Sequence, residues 1–213
     1  MLAALLGLAA VAGTGQAAEV SCTEAARIAE AREALPAGLL SAIGAVESRR
    51  GDGGAWPWTV QAAGTGRFFA SATAATMAVR ALHAAGVQSI DIGCFQINLA
   101  WHPGAFADVA SGFAPQANAF AAARFLRALH AELGTWEAAV AAYHSRTRTL
   151  GGPYRAQVLA VWRAAGGAAP MPEEAGWVRI GRFGSPRVSV WGPAGRLWPA
   201  AGALAGVITP ATP

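Results

Sequence analysis

The sequence predicts a mainly α fold of the α+β kind: a helical domain with one small β-hairpin, then a weakly structured C-terminal tail. Three observations predict it. Apolar residues recur at helical spacing in several stretches bounded by capping, proline or glycine signals. One stretch, WPWTVQAAGTGRFFAS, instead has aromatic and β-branched residues on both sides of Gly64-Thr65-Gly66. From about residue 166 Gly, Pro, Ala and Trp accumulate and no helical period persists.

The elements follow in order. Ser21-Cys22-Thr23-Glu24 has the form of a capping box and opens a helix over about 23–34. Pro36 suits the first turn of a second helix, 36–49, with the apolar stripe Leu39, Leu40, Ile43 and Val46. Gly51, Gly53 and Gly54 end it. The hairpin strands fall at roughly 57–62 and 67–69. Ser71 caps a third helix, 72–85, closed by Gly86. Residues 87–104 read as irregular. A long helix over 115–133 ends at Gly134 and buries Phe120, Leu126, Leu129 and Leu133. Thr135 caps a helix at 136–144, and 145–152 is a loop. Pro153 opens the last helix, 153–165, with Trp162 in the core. In the tail, WVRIGRF and RVSVW have the pattern of short strands.

Of 213 residues, 54% are hydrophobic and 13% charged, where about 25% charged is usual. That excludes disorder throughout. The net charge is +4, every basic residue is an arginine, and the arginines form no basic run. The pattern argues against a nucleic-acid partner; a mild positive balance suits an anionic polymer such as bacterial cell wall. Two cysteines, Cys22 and Cys94, are too few for a multi-disulfide scaffold or a four-cysteine zinc site. His83, His130 and His144 lack metal-ligand spacing, so no metal is expected.

Residues 1–18 read as a secretory signal peptide, with an apolar core from Leu2 to Ala12 and small residues at Gly15 and Ala17. No Lys or Arg precedes that core, and an uncleaved anchor is the alternative. The stretch is short for a membrane span. Export would place the mature chain where cysteines pair. Cys22 and Cys94 then form a bridge, or stand as two separate buried thiols.

Glu47 is the most informative residue. It lies four residues after Ile43 and seven after Leu40, on the apolar stripe of its helix. It also sits in the last turn, near the negative end of the helix dipole. Burial and the dipole both disfavour the carboxylate and raise its pKa. A carboxylic acid kept protonated near neutrality is what general acid catalysis on a glycosidic oxygen requires. The bland alternative is a helix-end glutamate in solvent, or paired with Arg49 or Arg50.

Three segments line up in order: AIGAVESRR around Glu47, IDIGCFQIN over 90–98, and AAVAAYHS over 138–145, followed by a helix near Tyr154. Together they resemble the soluble lytic transglycosylase family, whose catalytic domain has the goose-type lysozyme fold. The likeness is greatest to the small exported transglycosylases of secretion, pilus and flagellar systems, and covers about 20–165. It implies a lysozyme-like domain at 19–165 and no cofactor; the composition shift makes 166–213 a linker and tail, and the expected signal peptide makes the address periplasmic. The resemblance implies cleavage of the bond between N-acetylmuramic acid and N-acetylglucosamine in peptidoglycan, leaving a 1,6-anhydro end. By resemblance Glu47 is the catalytic acid and base. Ser48 matches a serine that holds the substrate or the acid; Gln96 with Gly93 before it, and Asn98, match substrate-binding positions; Tyr143 matches the tyrosine that reaches the catalytic carboxyl. Tyr154 matches a tyrosine of the last helix with a structural role. The commoner Leu-Met is Cys94-Phe95 here, Tyr-Asn is Tyr143-His144, and a usual glycine gives way to Ser145-Arg146.

Further cleft candidates are Trp56 and Trp58, which offer faces to sugar rings or pack the hairpin; Phe95; and His102, a cleft or loop residue. Asp91 and Asp52 are the candidate second carboxylates for a hydrolytic muramidase, against a structural role or a solvated turn. A peptidoglycan-binding assembly module without turnover is the third reading. The aromatic residues of 170–213 make that tail a candidate dock for a flagellar or secretion-system protein. A monomer is expected.

Overall fold

A computed structural model describes residues 20–51, 53–167, 178–183 and 188–192. The expected signal peptide, Asp52 and most of the tail lie outside the described residues. Helix α1 (Cys22–Arg32) starts under Ser21, whose hydroxyl accepts from the Glu24 N–H at 3.1 Å. Only half of the capping box forms, because the Glu24 carboxylate turns to Arg27.

Helix α2 (Leu39–Glu47) starts three residues later than the proline suggests, at Gly38 with φ +79°. The reason is a long-range cap. Glu30 of α1, 3% exposed, accepts from Gly38 N at 2.8 Å and Ser41 N at 2.9 Å. Those main-chain donors have no intrahelical partner. The helix stops at Glu47, because Ser48 leaves helical geometry and its hydroxyl donates to the Cys94 carbonyl at 2.7 Å. Leu39, Leu40 and Ile43 are fully buried on its inner face. Each contributes roughly 1.5–3 kcal/mol by leaving water.

The expected hairpin forms as β1 (Thr59–Ala62) and β2 (Thr65–Phe68). It is half of a four-stranded antiparallel sheet of order β2-β1-β3-β4. The added strands, β3 (Ile90–Ile92) and β4 (Ile97–Asn98), lie in the segment expected to be irregular. They are too short to show a period, and pairing with β1 defines them. Helix α3 (Ala72–Ala84) begins under Ser71 as expected. A 3-10 turn at Ser111–Phe113 leads into α4 (Pro115–Leu133), and Thr135 caps α5 (Trp136–His144).

Helix α6 (Arg148–Ala164) begins inside the expected loop and contains Pro153. Gly151 is the cause of the misreading. A Cβ there would overlap the carbonyls of Ala141 and Ser145, so this glycine lets α6 press on the end of α5. Strands β5 (Val178–Phe183) and β6 (Val188–Gly192) pair antiparallel where the tail pattern suggested strands.

The core has two parts. The larger joins α1, α2, α4, α5 and α6 around the Cys22–Cys94 disulfide, with Phe95 and Trp162 buried in it. The smaller lies between the sheet and α3, around Val60, Val79, Ile90, Ile92 and Phe113. Two expected core positions differ: Leu133 is 36% exposed at the end of α4, and Phe120 is half-buried under the Arg32 guanidinium. Among the described residues no helix is long and apolar enough to cross a membrane.

Candidate active site

A cavity of about 660 Å³ opens between the helical core and the sheet. Glu47 reaches it from the end of α2. Gln61, Asp91 and Asn98 reach it from β1, β3 and β4, where they stand in register as one polar row across three strands. The alternate row, Val60, Ile92 and Ile97, is buried. This alternation is the period-two rule of a half-buried sheet. Tyr143 and His144 come from α5, and Trp101, 79% exposed, from the turn after β4.

Residues 92–96 set the position of the acid. Gly93 has φ +82°, and its missing side chain leaves room for Asn118 of α4. Asn118 is fully buried. It accepts from Phe95 N at 2.8 Å and donates to the Ile92 and Gly112 carbonyls at 3.0 Å each. Cys94 is bonded to Cys22, and its carbonyl takes the Ser48 hydroxyl. One loop is thereby fastened to α1, α2 and α4 directly behind Glu47.

Glu47 keeps part of its surface on the cavity while protein surrounds the rest. Burial lifts its pKa from 4.5 to about 7; contact with Tyr154 opposes the rise and the charge of Asp91 adds to it. The Tyr154 hydroxyl is close enough to the carboxyl to act on it and makes no hydrogen bond among the described residues. Burial raises the pKa of both Tyr154 and Tyr143, so both hydroxyls keep their protons. Burial also raises Asp91, against the Asn98 hydrogen bond and the influence of His144 and His102. His102 is pushed down by burial, with Asp91 pulling the other way.

The structure brings together Glu47, Asp91, Gln96, Asn98, His102 and Tyr143. Gln96, at φ +48°, donates to the Gly93 carbonyl at 2.9 Å and leaves its Oε1 without a partner among the described residues. Asn98 binds Asp91 at 2.8 Å, and its oxygen accepts from Ala100 N and Trp101 N, which fixes the turn that presents Trp101. His102 packs edge-on against Phe125, which touches Tyr143.

Three expectations need correction, and two others carried alternatives that the structure separates. Ser48 is 1% exposed and bonds Cys94, so of its two expected roles the structure favours holding the end of α2 that carries the acid. Phe95 is fully buried against Gly44 and belongs to the core. Trp56 and Trp58 take the packing alternative and do not line the cavity. They pack edge to face at 5.2 Å, with the Trp56 N–H on the Phe69 carbonyl and Arg50 over its ring. Tyr143 donates to the Phe95 carbonyl at 2.8 Å rather than to the acid. Tyr154, expected to be structural, is the tyrosine facing Glu47, and His144 stacks on it at 4.7 Å.

Sequence reasoning missed Trp101, Gln61 and Phe125 in the cavity, and Asn118 behind it. Asn118 had a signal: it lies four and eight residues before Ala122 and Leu126, on the buried stripe of α4. Among the described residues no cluster could hold a metal ion. Chemically the cavity offers one carboxylic acid that holds its proton up to about pH 7, a second carboxyl group hydrogen-bonded to Asn98, and an exposed aromatic face. Comparison of the chain with protein-family models, curated proteins and solved structures finds no match in any of the three.

Proposed function

We propose that this chain is an exported peptidoglycan lytic transglycosylase with a lysozyme-like domain. The observation that carries the reading is Glu47, a carboxylic acid with a pKa of about 7 on the wall of a cavity of about 660 Å³. The sequence resemblance gives it a substrate. Glu47 donates its proton to the oxygen between N-acetylmuramic acid and N-acetylglucosamine. That bond breaks, the glucosamine leaves with its hydroxyl, and positive charge at the muramic C1 is stabilised by the neighbouring N-acetyl oxygen. The Glu47 carboxylate then takes the proton of the sugar's C6 hydroxyl, whose oxygen bonds to C1. The product is the 1,6-anhydro end, and the acid is regenerated. The protonated Tyr154 hydroxyl is placed to steady the transient carboxylate. The internal hydroxyl wins over water because it is held in place.

A hydrolytic muramidase is the second reading, favoured by Asp91 in the same cavity. Its carboxylate is tied to Asn98, which supports a positioning role instead. The disulfide fits an oxidising, periplasmic setting. Wall remodelling for a flagellum or secretion apparatus, with 170–213 as the dock, completes the proposal; deleting 170–213 and following lysis and localisation tests it. The function is tested by digesting sacculi with wild type and with Glu47→Gln, then analysing muropeptides by mass spectrometry. Anhydro-muramyl ends from wild type alone are expected. Reducing ends would make it a hydrolase, and no product from either would leave a binding module.

A further inference from the structure

Next to the site cavity, between α5 and the start of α6, lies a second groove of about 570 Å³. Ser145 and Arg146 line both spaces, so the two are adjacent. The groove floor is small and apolar, with Ala141 and Ala142, and its walls carry Arg146, Arg148 and Arg155. Among the described residues no acidic side chain lines it. Arg146 is already engaged, bonded through both terminal nitrogens to Glu132 at 2.6 and 2.8 Å. Arg148 and Arg155 make no salt bridge among the described residues. Arg148 opens α6, whose N-terminus has no side-chain cap and no acidic residue in its first turn. The helix dipole adds positive potential at that end of the groove.

Two unneutralised guanidinium groups in a concave, uncapped site call for a carboxylate-bearing ligand. We propose that this groove holds the peptide substituent of the glycan, with Arg148 and Arg155 binding its free carboxylates. The inference rests on the transglycosylase reading. Under that reading the muramic sugar in the cavity carries a peptide with several carboxylates, and the groove adjoins the cavity that would hold that sugar. Arg148 and Arg155 therefore set a preference for peptide-bearing over stripped glycan.

The test compares kcat/KM on peptide-bearing glycan strands with that on the same strands stripped by an amidase. Wild type and the Arg148→Gln/Arg155→Gln double variant are both measured. Wild type should favour peptide-bearing strands by roughly five- to tenfold, the scale of two exposed charge pairs. The ratio should approach one in the double variant. An unchanged ratio in the variant, or no preference in wild type, would overturn the proposal. A binding arm separates this from failure of the functional reading. The free stem tetrapeptide is titrated into Glu47→Gln protein while the arginine Nε–H signals are followed by NMR. Shifts confined to Arg148 and Arg155 support the groove even where no glycan is cut. Absence of shifts at saturating peptide rejects it even where glycan is cut.

Discussion

At the N-terminal end of α2 the buried Glu30 carboxylate meets two main-chain donors, the N–H groups of Gly38 and Ser41. At the C-terminal end the Glu47 carboxyl meets none, and its surroundings lift its pKa to about 7. Both glutamates lie on apolar stripes, Glu30 eight and four residues after Cys22 and Ala26, Glu47 after Leu40 and Ile43. Hydrophobic patterning cannot tell them apart. The polarity of the helix end can, because N–H groups point out of one end and carbonyls out of the other. A buried carboxylate at the donor end fastens the fold. One at the acceptor end, beside a cavity, holds a proton that can be given away.

The comparison predicts effects of different size and kind. Under the proposed function, Glu47→Gln should cost about 10²–10⁴-fold in glycan cleavage. The same variant should leave the protein as stable as wild type in acid and more stable above pH 7. The sign follows from the raised pKa. Protonation of Glu47 favours the fold fully below 4.5, and that contribution is lost as pH rises through about 7. The full difference is on the order of 3 kcal/mol, read as the midpoint of urea unfolding at several pH values. Cleavage by wild type should fall over the same range above pH 7, since the acid must begin protonated.

Breaking the fastening behind the acid comes next. Replacing Cys22 and Cys94 by serine opens a loop of sequence separation 72 and should cost about 4 kcal/mol by the chain-entropy account. Glu30→Ala should cost about 2–3 kcal/mol, because two buried N–H groups lose their partner. Its melting temperature should drop, whereas Glu47→Ala should lose activity first. A smaller effect separates the tryptophans. Trp101→Ala should raise KM about fivefold, the worth of one exposed aromatic face, on the order of 1 kcal/mol. Trp56→Ala should lower stability without selectively raising KM, since its N–H and ring are spent on Phe69 and Arg50.

Much of the helical frame was legible because caps are local. Ser21, Ser71 and Thr135 each accept the expected N–H, and Gly134 ends α4 at φ +80°. What resisted reading depends on partners distant in sequence. The start of α2 is set by Glu30, the strands β3 and β4 by pairing with β1, and the start of α6 by contact of Gly151 with α5. The site divides the same way. Glu47 was visible from its own helix, and Asp91 and Gln96 from their motif. Ser48 and Phe95 share those motifs yet face inward, because alternate residues around the acid are needed to hold it.

The central claim is that Glu47 holds its proton near neutrality. The most direct test is a carboxyl ¹³C NMR titration of glutamate-labelled protein, with Glu47→Gln used to assign the signal. The account predicts a midpoint near 7. A midpoint at the ordinary value of 4.5 would contradict it, and would remove the general acid from the proposed mechanism.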